Sequence, residues 1–476
     1  MRKISTGVKA STVYAAASLV NKGITFITMP IFTRLMSTEQ IGIVNTYNSW
    51  HSILNVFACL SLTAGSFSIA MHQYRNKRSA YQSAALGLTT IASLGIAILY
   101  VIFFKTINAV LELPWQLNVL MIVGFFLQPA TDFWMARQRF EYKYKACSIV
   151  SVNTAITSSL LAVLTVIAFN TNGISELAIG RLYATYLVNY IVALVIFIYT
   201  FRAGKTFYDR EFWMFGLSMS LPLIVHSLAK QILDASDRIM IQKMVGYSAV
   251  GIYGTLYGIS SLSLIVWNAI NMSLVPYTFS NLDKGKEGEE RINAIVIPML
   301  LVYSVVAIGF AFLSPEIVRI VATTEYYEAI YICPPVAAGI YFTSLYNIMG
   351  NVLLYHKKTK DIMFATVIAA TVNIVLNYIF IQMFGYIAAA YTTLLANIIL
   401  AFAQYKMAKK VHGYAPYDCK KLVLISVIVT VIVLSCNFLY QHTLLRFVFI
   451  GMILVVGFIQ RKRILTLFKT ILKSKT

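Results

Sequence analysis

Apolar runs of about 20 residues follow one another along nearly the whole chain. Each is long enough for an α-helix to cross the roughly 30 Å hydrocarbon core of a bilayer. Of the 476 residues, 59% are hydrophobic and 12% are charged, which is too little polar surface to cover a water-soluble globule. An all-α integral membrane protein is therefore predicted. We expect the first apolar run to remain in the mature protein, because it is too long for a signal-peptide core.

The hydropathy predicts about 14 transmembrane helices joined by short loops. These predicted spans fall at residues 10–34, 41–70, 80–104, 114–136, 146–169, 177–201, 212–237, 248–280, 292–314, 328–355, 361–382, 386–408, 421–440 and 444–460. The longest polar stretches between them are roughly a dozen residues, so no separate soluble catalytic domain is expected.

Positive charge is concentrated in alternate loops. Thirty of the 39 Lys and Arg residues fall in the N-terminal segment (Arg2, Lys3, Lys9), in every second loop, or in the C-terminal tail. Because cytoplasmic loops carry the excess of Lys and Arg, both termini are predicted to be cytoplasmic. Topology and contact with anionic membrane lipids then account for most of the net charge of +21, and nucleic acid is not expected as a partner.

A weak internal repeat relates the two halves of the chain. With a shift of 209 residues, Ile41-Gly42-Ile43 matches Val250-Gly251-Ile252, and Arg34 matches Lys243. Because each repeat contains six spans, the two would be related by a pseudo-two-fold axis along the membrane normal. We predict a six-helix lobe over 1–205, a second over 206–410, and two additional helices with a basic tail over 411–476.

Ionisable residues inside the predicted spans are few. Such groups are costly in hydrocarbon, so we expect them to face protein or a water-filled cavity. They are Lys22, His51, Asp132 and, in the seventh span, His226, Lys230, Asp234, Asp237 and Arg238. The 209-residue shift places Lys22 and Lys230 one residue apart in corresponding helices, which predicts that both ammonium groups face a shared central space.

One interpretation of these charges is an anion-binding cavity. Lys22 and Lys230 would attract a diphosphate group, and the low dielectric of a protected cavity would strengthen the attraction. Arg34, His51 and Asn21 are further candidates for the lining of that cavity.

Another interpretation makes the seventh-span charges structural or coupling groups. Lys230, Asp234 and Arg238 are spaced by four residues and can satisfy one another along one helix face, with Asp237 as a further candidate for ion pairing or coupling.

Three further ionisable groups have both a structural and a functional interpretation. His51 and His226 fit a hydrogen-bonded packing role or a proton relay. Asp132 is expected to pair with Arg137 or Arg139, or else to bind a coupling ion.

The five cysteines are scattered and lack any C-x-x-C spacing, so neither a disulfide framework nor a metal site is predicted. No cofactor is predicted, and a coupling ion, H⁺ or Na⁺, is left open.

Two segments carry a family resemblance. The stretch LDASDRIMIQKMVGYSAVGIY, from Leu233 to Tyr253, resembles a hallmark of the Wzx-type flippases. These form the polysaccharide-transport branch of the multidrug/oligosaccharidyl-lipid/polysaccharide exporter superfamily. The segment PIFTRLMSTEQIGI, from Pro30 to Ile43, is similar to the end of the first span in that family. Together with the span count, the resemblance covers the whole chain.

The resemblance implies a flippase that moves undecaprenyl-diphosphate-linked oligosaccharide repeat units from the inner to the outer leaflet of a bacterial cytoplasmic membrane. Capsule, O-antigen or a similar polymer would be the product. In such proteins a cationic cavity between two lobes receives the charged head and the sugars, while the lipid tail stays in the bilayer. A polysaccharide polymerase and chain-length machinery are implied as partners.

Other functions fit the sequence less well. The alternative within the same fold is a cation-coupled small-molecule exporter, but the acidic first-span residue of such exporters is absent here. Asn21-Lys22 stands where peptidoglycan-precursor flippases carry an Arg-Asp pair, which argues against a peptidoglycan role. A glycosyltransferase or polymerase would show a long outer loop or clustered carboxylates. A purely structural protein would leave Lys22 unexplained, so a transporter rather than an enzyme is predicted.

Overall fold

The computed structural model describes residues 6–64, 66–413, 417–452 and 455, and these residues form helices joined by short turns. No β-strand occurs among them, as expected where the backbone must satisfy its own hydrogen bonds in lipid. The helices are α1 (Thr6–Leu35), α2 (Thr38–Ala58), α3 (Ser66–Gln73), α4 (Arg78–Ile102), α5 (Phe104–Leu111), α6 (Trp115–Phe140), α7 (Tyr144–Thr171), α8 (Leu177–Gly204), α9 (Arg210–Met244), α10 (Tyr247–Ser260), α11 (Ser263–Leu282), α12 (Gly285–Val321), α13 (Cys333–Tyr355), α14 (Thr359–Phe384), α15 (Ala388–His412), α16 (Cys419–Leu439) and α17 (Thr443–Met452). The predicted all-α class is confirmed.

Each predicted span coincides with one of these helices or with two consecutive ones. Within the described residues, ten helices are long and apolar enough to cross a membrane. The number is eleven if α10 and α11, bent by 44° at their junction, form one broken span. Of the predicted spans, α2, α13 and α17 fall short of that test on length or composition. The chain is a multi-pass membrane protein. The end of the last predicted span, the N-terminal Arg2 and Lys3, and the basic tail lie outside the described residues.

The helices form two compact units. The first comprises residues 1–242 with 246–251, and the second comprises 243–245 with 252–476. α9 packs into the first unit. Phe212 contacts the ring of Tyr74 at a centroid distance of 4.8 Å, and Trp213 Nε1 donates to the carbonyl oxygen of Ala84 at 2.8 Å. The predicted lobes 1–205 and 206–410, with the additional segment 411–476, stay a prediction.

Each unit has its own apolar core. In the first unit, Phe67 stacks on Phe133 at 5.1 Å, which joins α3 to α6. In the second, Trp267, Tyr303 and Tyr341 form a buried aromatic column across α11, α12 and α13. Large apolar side chains also cover the outside of the helices, as a lipid-facing surface requires.

The turns of the first unit fall into two groups, one at each end of its helices. At one end, the turns before α4, after α6 and after α8 line a common pocket. At the opposite end, Gln40 Oε1 accepts from the backbone N–H of Ala178 at 2.7 Å, and Gln242 Nε2 donates to Glu112 Oε2. This is the grouping that the alternation of loop charge predicts. The assignment of the basic end to the cytoplasm stays a prediction.

The repeat has a direct structural counterpart in the first unit. A Cβ built on Gly42 would overlap the carbonyl oxygen of Tyr247, and a Cβ built on Gly251 would overlap that of Thr38. Tyr247 and Gly251 lie 209 residues after Thr38 and Gly42, so the contact is reciprocal. Thr38 Oγ1 and Ser248 Oγ, 2.6 Å apart, add a hydrogen bond. Backbones approach this closely only where the residue lacks a side chain.

Candidate functional site

The predicted site residues on α1 differ in what they contact. Lys22 is exposed on the same face as Ser18 and Thr25, and it makes no ion pair with any residue that the structure describes. Asn21, its neighbour, points elsewhere: its Nδ2 donates to Ser151 Oγ on α7 at 2.8 Å. Lys22 therefore lies on an exposed polar stripe of a membrane-crossing helix, whereas the hydrogen bond of Asn21 joins that helix to α7.

Arg34 lies in the last turn of α1 and is exposed there. Its NH1 donates to the carbonyl oxygen of Pro30 at 3.0 Å. A cation in the last turn of a helix complements the negative end of the helix dipole. This contact gives Arg34 a structural task at the end of the span.

The charges of α9 form a ladder along the helix. Lys230 Nζ lies 2.8 Å from Asp234 Oδ2, and Arg238 NH1 donates to the carbonyl oxygen of Asp234 at 2.8 Å. Asp237 is buried and accepts from the backbone N–H of Arg238 at 2.8 Å. The four-residue spacing thus produces the ion pair expected from the sequence. A role of Lys230 in substrate binding stays a prediction.

The Lys230–Asp234 pair is not enclosed by protein. The two side chains are 52% and 49% exposed, although they belong to a helix apolar enough to cross a membrane. The other face of α9 packs on α2, where Ala235 and Ile239 contact Ile53. Because ions do not lie in hydrocarbon without partners or water, the exposed face of α9 is expected to line an aqueous space.

The histidines of the predicted site occupy different surroundings. His51 lies among the rings of Tyr47, Phe125 and Tyr186, at centroid distances of 6.0, 5.7 and 5.4 Å. Its Nε2 is buried and has no hydrogen-bond partner among the described residues. His226 is half-buried and lies one turn before Lys230. Its Nδ1 is also buried and has no hydrogen-bond partner within the described part of the chain. The aromatic surroundings favour a packing role for His51.

The expected pairing of Asp132 with Arg137 does not form. Asp132 Oδ1 accepts from Gln128 Nε2 at 3.0 Å, and Cys59 Sγ lies 3.8 Å from Oδ2. Residues five apart on an α-helix are turned by about 140° from one another, so Arg137 faces away and pairs with Glu141 instead, at 2.9 Å. The expected alternative partner, Arg139, forms no salt bridge with Asp132 among the described residues, although its charge acts on the carboxyl group from a greater distance. Asp132 therefore has only neutral hydrogen-bond partners among the described residues.

All ten predicted site residues lie in the first unit, but they do not form one cluster. Two groups emerge: the exposed charges of α1 and α9, and the aromatic and carboxyl groups between α2, α6 and α8. The sequence did not indicate the rings around His51, because they lie on three helices far apart in the chain. Within the described residues, no group of three or more His, Cys, Asp or Glu side chains could hold a metal ion.

Comparison with known proteins gives the family context. Residues 8–282 match the family model described as "Polysaccharide biosynthesis protein", and residues 222–379 match the MatE model. An uncharacterized membrane protein of Haemophilus influenzae is 22% identical over 372 residues, which cover 77% of this chain and 88% of that protein. A relative in Haloferax volcanii, described as a probable low-salt glycan biosynthesis flippase, is 26% identical over 175 residues, or 36% of this chain and 37% of the relative.

Solved structures of two kinds share the fold. The lipid II flippase MurJ in an inward closed conformation is similar with a TM-score of 0.70 and 15% identity, covering 95% of this chain and all of that one. An inward-facing multidrug resistance MATE family transporter of the MOP superfamily has a TM-score of 0.62 and 14% identity, covering 82% and 94%. At these identities the likeness concerns the fold alone. The two family-model matches and the glycan flippase relative confirm the superfamily branch that the sequence motifs indicated.

Proposed function

The chain belongs to the polysaccharide biosynthesis protein family, and from this premise we propose that it is a flippase for lipid-linked oligosaccharides. The proposed substrate is an undecaprenyl-diphosphate-linked repeat unit, moved from the inner to the outer leaflet of a bacterial cytoplasmic membrane. Capsule or O-antigen assembly is the process that such a step would supply. The observation that carries the proposal is Lys22, an exposed ammonium group without an ionic partner among the described residues, on an apolar span.

The chemistry of the exposed charges fits an anionic substrate. A diphosphate moving across the bilayer must exchange water for other donors, and an ammonium in a partly dehydrated cavity supplies a charge-assisted hydrogen bond. Lys22 is proposed to make that contact. Lys230 is proposed to assist, with Asp234 holding its side chain in place when no substrate is present. The proposed step moves the substrate without covalent chemistry, so the protein is proposed to be a transporter and not an enzyme.

The proposed flippase needs a source of energy and partners that consume its product. H⁺ or Na⁺ coupling and polymer-driven withdrawal of the product are both compatible with the described residues. A polymerase and chain-length machinery are proposed partners, because each flipped repeat unit must be consumed on the outer leaflet.

A second candidate function is export of a small molecule coupled to a cation. The MatE match over residues 222–379 and the fold shared with a MATE transporter favour it. Asp132, a carboxyl group whose hydrogen-bond partners among the described residues are neutral, would then be the coupling site. Against it stands the cationic character of α1, where Lys22 lies in a span without any acidic residue.

Deletion of the gene separates the two candidates. We expect the deletion strain to lose its surface polysaccharide and to accumulate complete lipid-linked repeat units, because assembly on the inner leaflet continues while transfer stops. The polymer and the extracted lipid-linked pool are measured side by side, with the gene restored on a plasmid as the control. Unchanged polymer and pool, together with increased sensitivity to a toxic small molecule, would support the exporter instead.

The proposed orientation predicts a pattern of chemical labelling. In a variant lacking the five native cysteines, we expect a cysteine at Val245 to react with a membrane-impermeant thiol reagent added to intact cells. A cysteine at Lys358 should react only after the cells are opened, because the α13–α14 turn belongs to the basic, cytoplasmic group. Both positions are exposed. Labelling of position 358 but not 245 in intact cells would reverse the orientation.

A further inference from the structure

A polar pocket of about 460 Å³ lies at the basic end of the first unit. The start of α4, the end of α6 and the end of α8 form its walls. Its charged lining consists of Arg75, Lys77, Arg78 and Arg137, with Glu141 as the one acid. Four cations around a concave space with a single carboxylate give the pocket an excess of positive charge.

Glu141 is already fully engaged by cations. Its carboxylate lies 2.6 Å from Lys143 Nζ, 2.9 Å from Arg137 Nε and 3.8 Å from Arg78 NH1. Burial alone would raise the pKa of the Glu141 carboxyl, but the hydrogen bonds from Lys143 and Arg137 outweigh it and hold that pKa below its usual range. Glu141 is therefore an anion at neutral pH, and it balances only one of the positive charges around it.

Arg78 and Arg137 are held in place by contacts with neighbouring residues, and Arg78 keeps N–H donors for a ligand. Arg78 Nε donates to the carbonyl oxygen of Met71 at 2.8 Å, and the guanidinium lies over the ring of Phe140 at 5.0 Å. Its terminal nitrogens make no hydrogen bond with the described residues. Arg137 NH1 donates to Ser79 and Gln82, at 3.1 and 3.0 Å. Both guanidinium groups are thus oriented by the fold before any ligand arrives.

The backbone adds to the positive potential. A 3₁₀ turn over Arg75–Lys77 leads directly into α4, and no side chain caps the start of this continuous helix at Tyr74, so the helix start adds positive potential to the pocket. The end of α8 closes this side of the pocket, since a Cβ built on Gly204 would overlap the carbonyl oxygen of Ser79. A helix start, two oriented guanidinium groups and two exposed cations thus share one cavity.

The depth of the pocket in the membrane indicates the kind of anion. α4, α6 and α8 are all membrane-crossing helices by length and composition, and their ends lie at the level of the lipid headgroups. The phosphate of a lipid headgroup is the anion found at that level. We propose that this pocket binds the phosphate group of a membrane lipid, either the diphosphate of the lipid-linked substrate or the phosphate of an anionic phospholipid.

Lipid binding by the purified full-length protein in detergent tests this site without requiring transport. The probes are a polyprenyl diphosphate, phosphatidylglycerol and inorganic pyrophosphate as a competitor. The test variant is R75Q/K77Q, because Arg75 and Lys77 are exposed and take no part in the Glu141 ion pairs. The matched control is R139Q/K145Q, which removes the same charge from exposed positions at the same end of the unit but outside the pocket lining.

We expect R75Q/K77Q to bind the preferred lipid about tenfold to thirtyfold more weakly, since each of the two cations near a lipid phosphate contributes about a factor of three to five. The control should stay within about twofold of the wild type, and pyrophosphate should displace the lipid. Tighter binding of polyprenyl diphosphate assigns the pocket to the transported substrate, and tighter binding of phosphatidylglycerol assigns it to the bilayer. Equal loss in both variants, or failure of pyrophosphate to compete, would overturn the site. A protein that binds but does not flip would refute the transport proposal alone.

Discussion

Replacing Lys22 by Ala is expected to lower export of the surface polysaccharide about tenfold to a hundredfold. A hydrogen bond to a charged group contributes about 1.5–3 kcal/mol, and each 1.4 kcal/mol corresponds to about a factor of ten in binding. Among the described residues no carboxylate pairs with Lys22, so its removal should leave the fold intact. Export is measured in the deletion strain complemented with each variant at equal membrane abundance.

Two matched variants separate charge from position in this experiment. Lys22→Arg keeps the positive charge and should lose less activity than Lys22→Ala, although the planar guanidinium cannot reproduce the geometry of an ammonium. Lys105→Ala removes an exposed lysine from α5, at a position that takes no part in the proposed site, and should export normally. Full export by Lys22→Ala would remove Lys22 from the transport mechanism.

Adding one methyl group at Gly42 is expected to lower the free energy of unfolding by about 2–3 kcal/mol, the upper part of the range for overpacking. The new Cβ would overlap the carbonyl oxygen of Tyr247, and backbone atoms cannot move aside as the end of a side chain can. Gly251→Ala should behave alike, because Gly251 approaches Thr38 in the same way. Thermal unfolding of the purified variants measures the effect.

The control for this contact is another helical glycine. Nothing lies within 4 Å of a Cβ built on Gly95 in α4, so Gly95→Ala should be neutral or stabilising by up to about 1 kcal/mol. The double variant Gly42→Ala/Gly251→Ala should lose less than the two single losses added together, since both substitutions act at one contact. Strict additivity, or unchanged stability of Gly42→Ala, would show that the reciprocal contact does not hold the two segments together.

The sequence predicted the helices well because lipid leaves few alternatives. The described part of each of the fourteen predicted spans coincides with helices, and the three loops placed on one side by their charge do meet at one end of the first unit. The Lys230–Asp234 pair was foreseen as well, since i to i+4 spacing is a local property of one helix. The match of Gly42 with Gly251 indicated corresponding positions. The structure adds that Gly42 approaches Tyr247, while Gly251 approaches Thr38, the residue that corresponds to Tyr247.

The contacts of individual side chains were harder to predict from the sequence. The sequence offered Arg137 as a partner for Asp132, but helix rotation turns Arg137 to Glu141. Likewise, the rings of Phe125 and Tyr186 reach His51 from different helices, a convergence that no periodicity in one segment records. The basic pocket was visible only as a set of positively charged loops. The structure places the ends of three helices side by side, and this arrangement shows the single acidic residue, Glu141, and the uncapped helix start of the pocket.

The side of the membrane on which lipid-linked repeat units accumulate in the deletion strain tests the central claim most directly. Spheroplasts and inverted membrane vesicles from that strain are treated with a lectin or glycosidase that recognises the repeat unit and cannot cross the membrane. A flippase account predicts that the units are protected in spheroplasts and accessible in inverted vesicles, and that the restored gene makes them accessible from outside. Complete units on the outer leaflet of the deletion strain would contradict it, because translocation would then proceed without this protein.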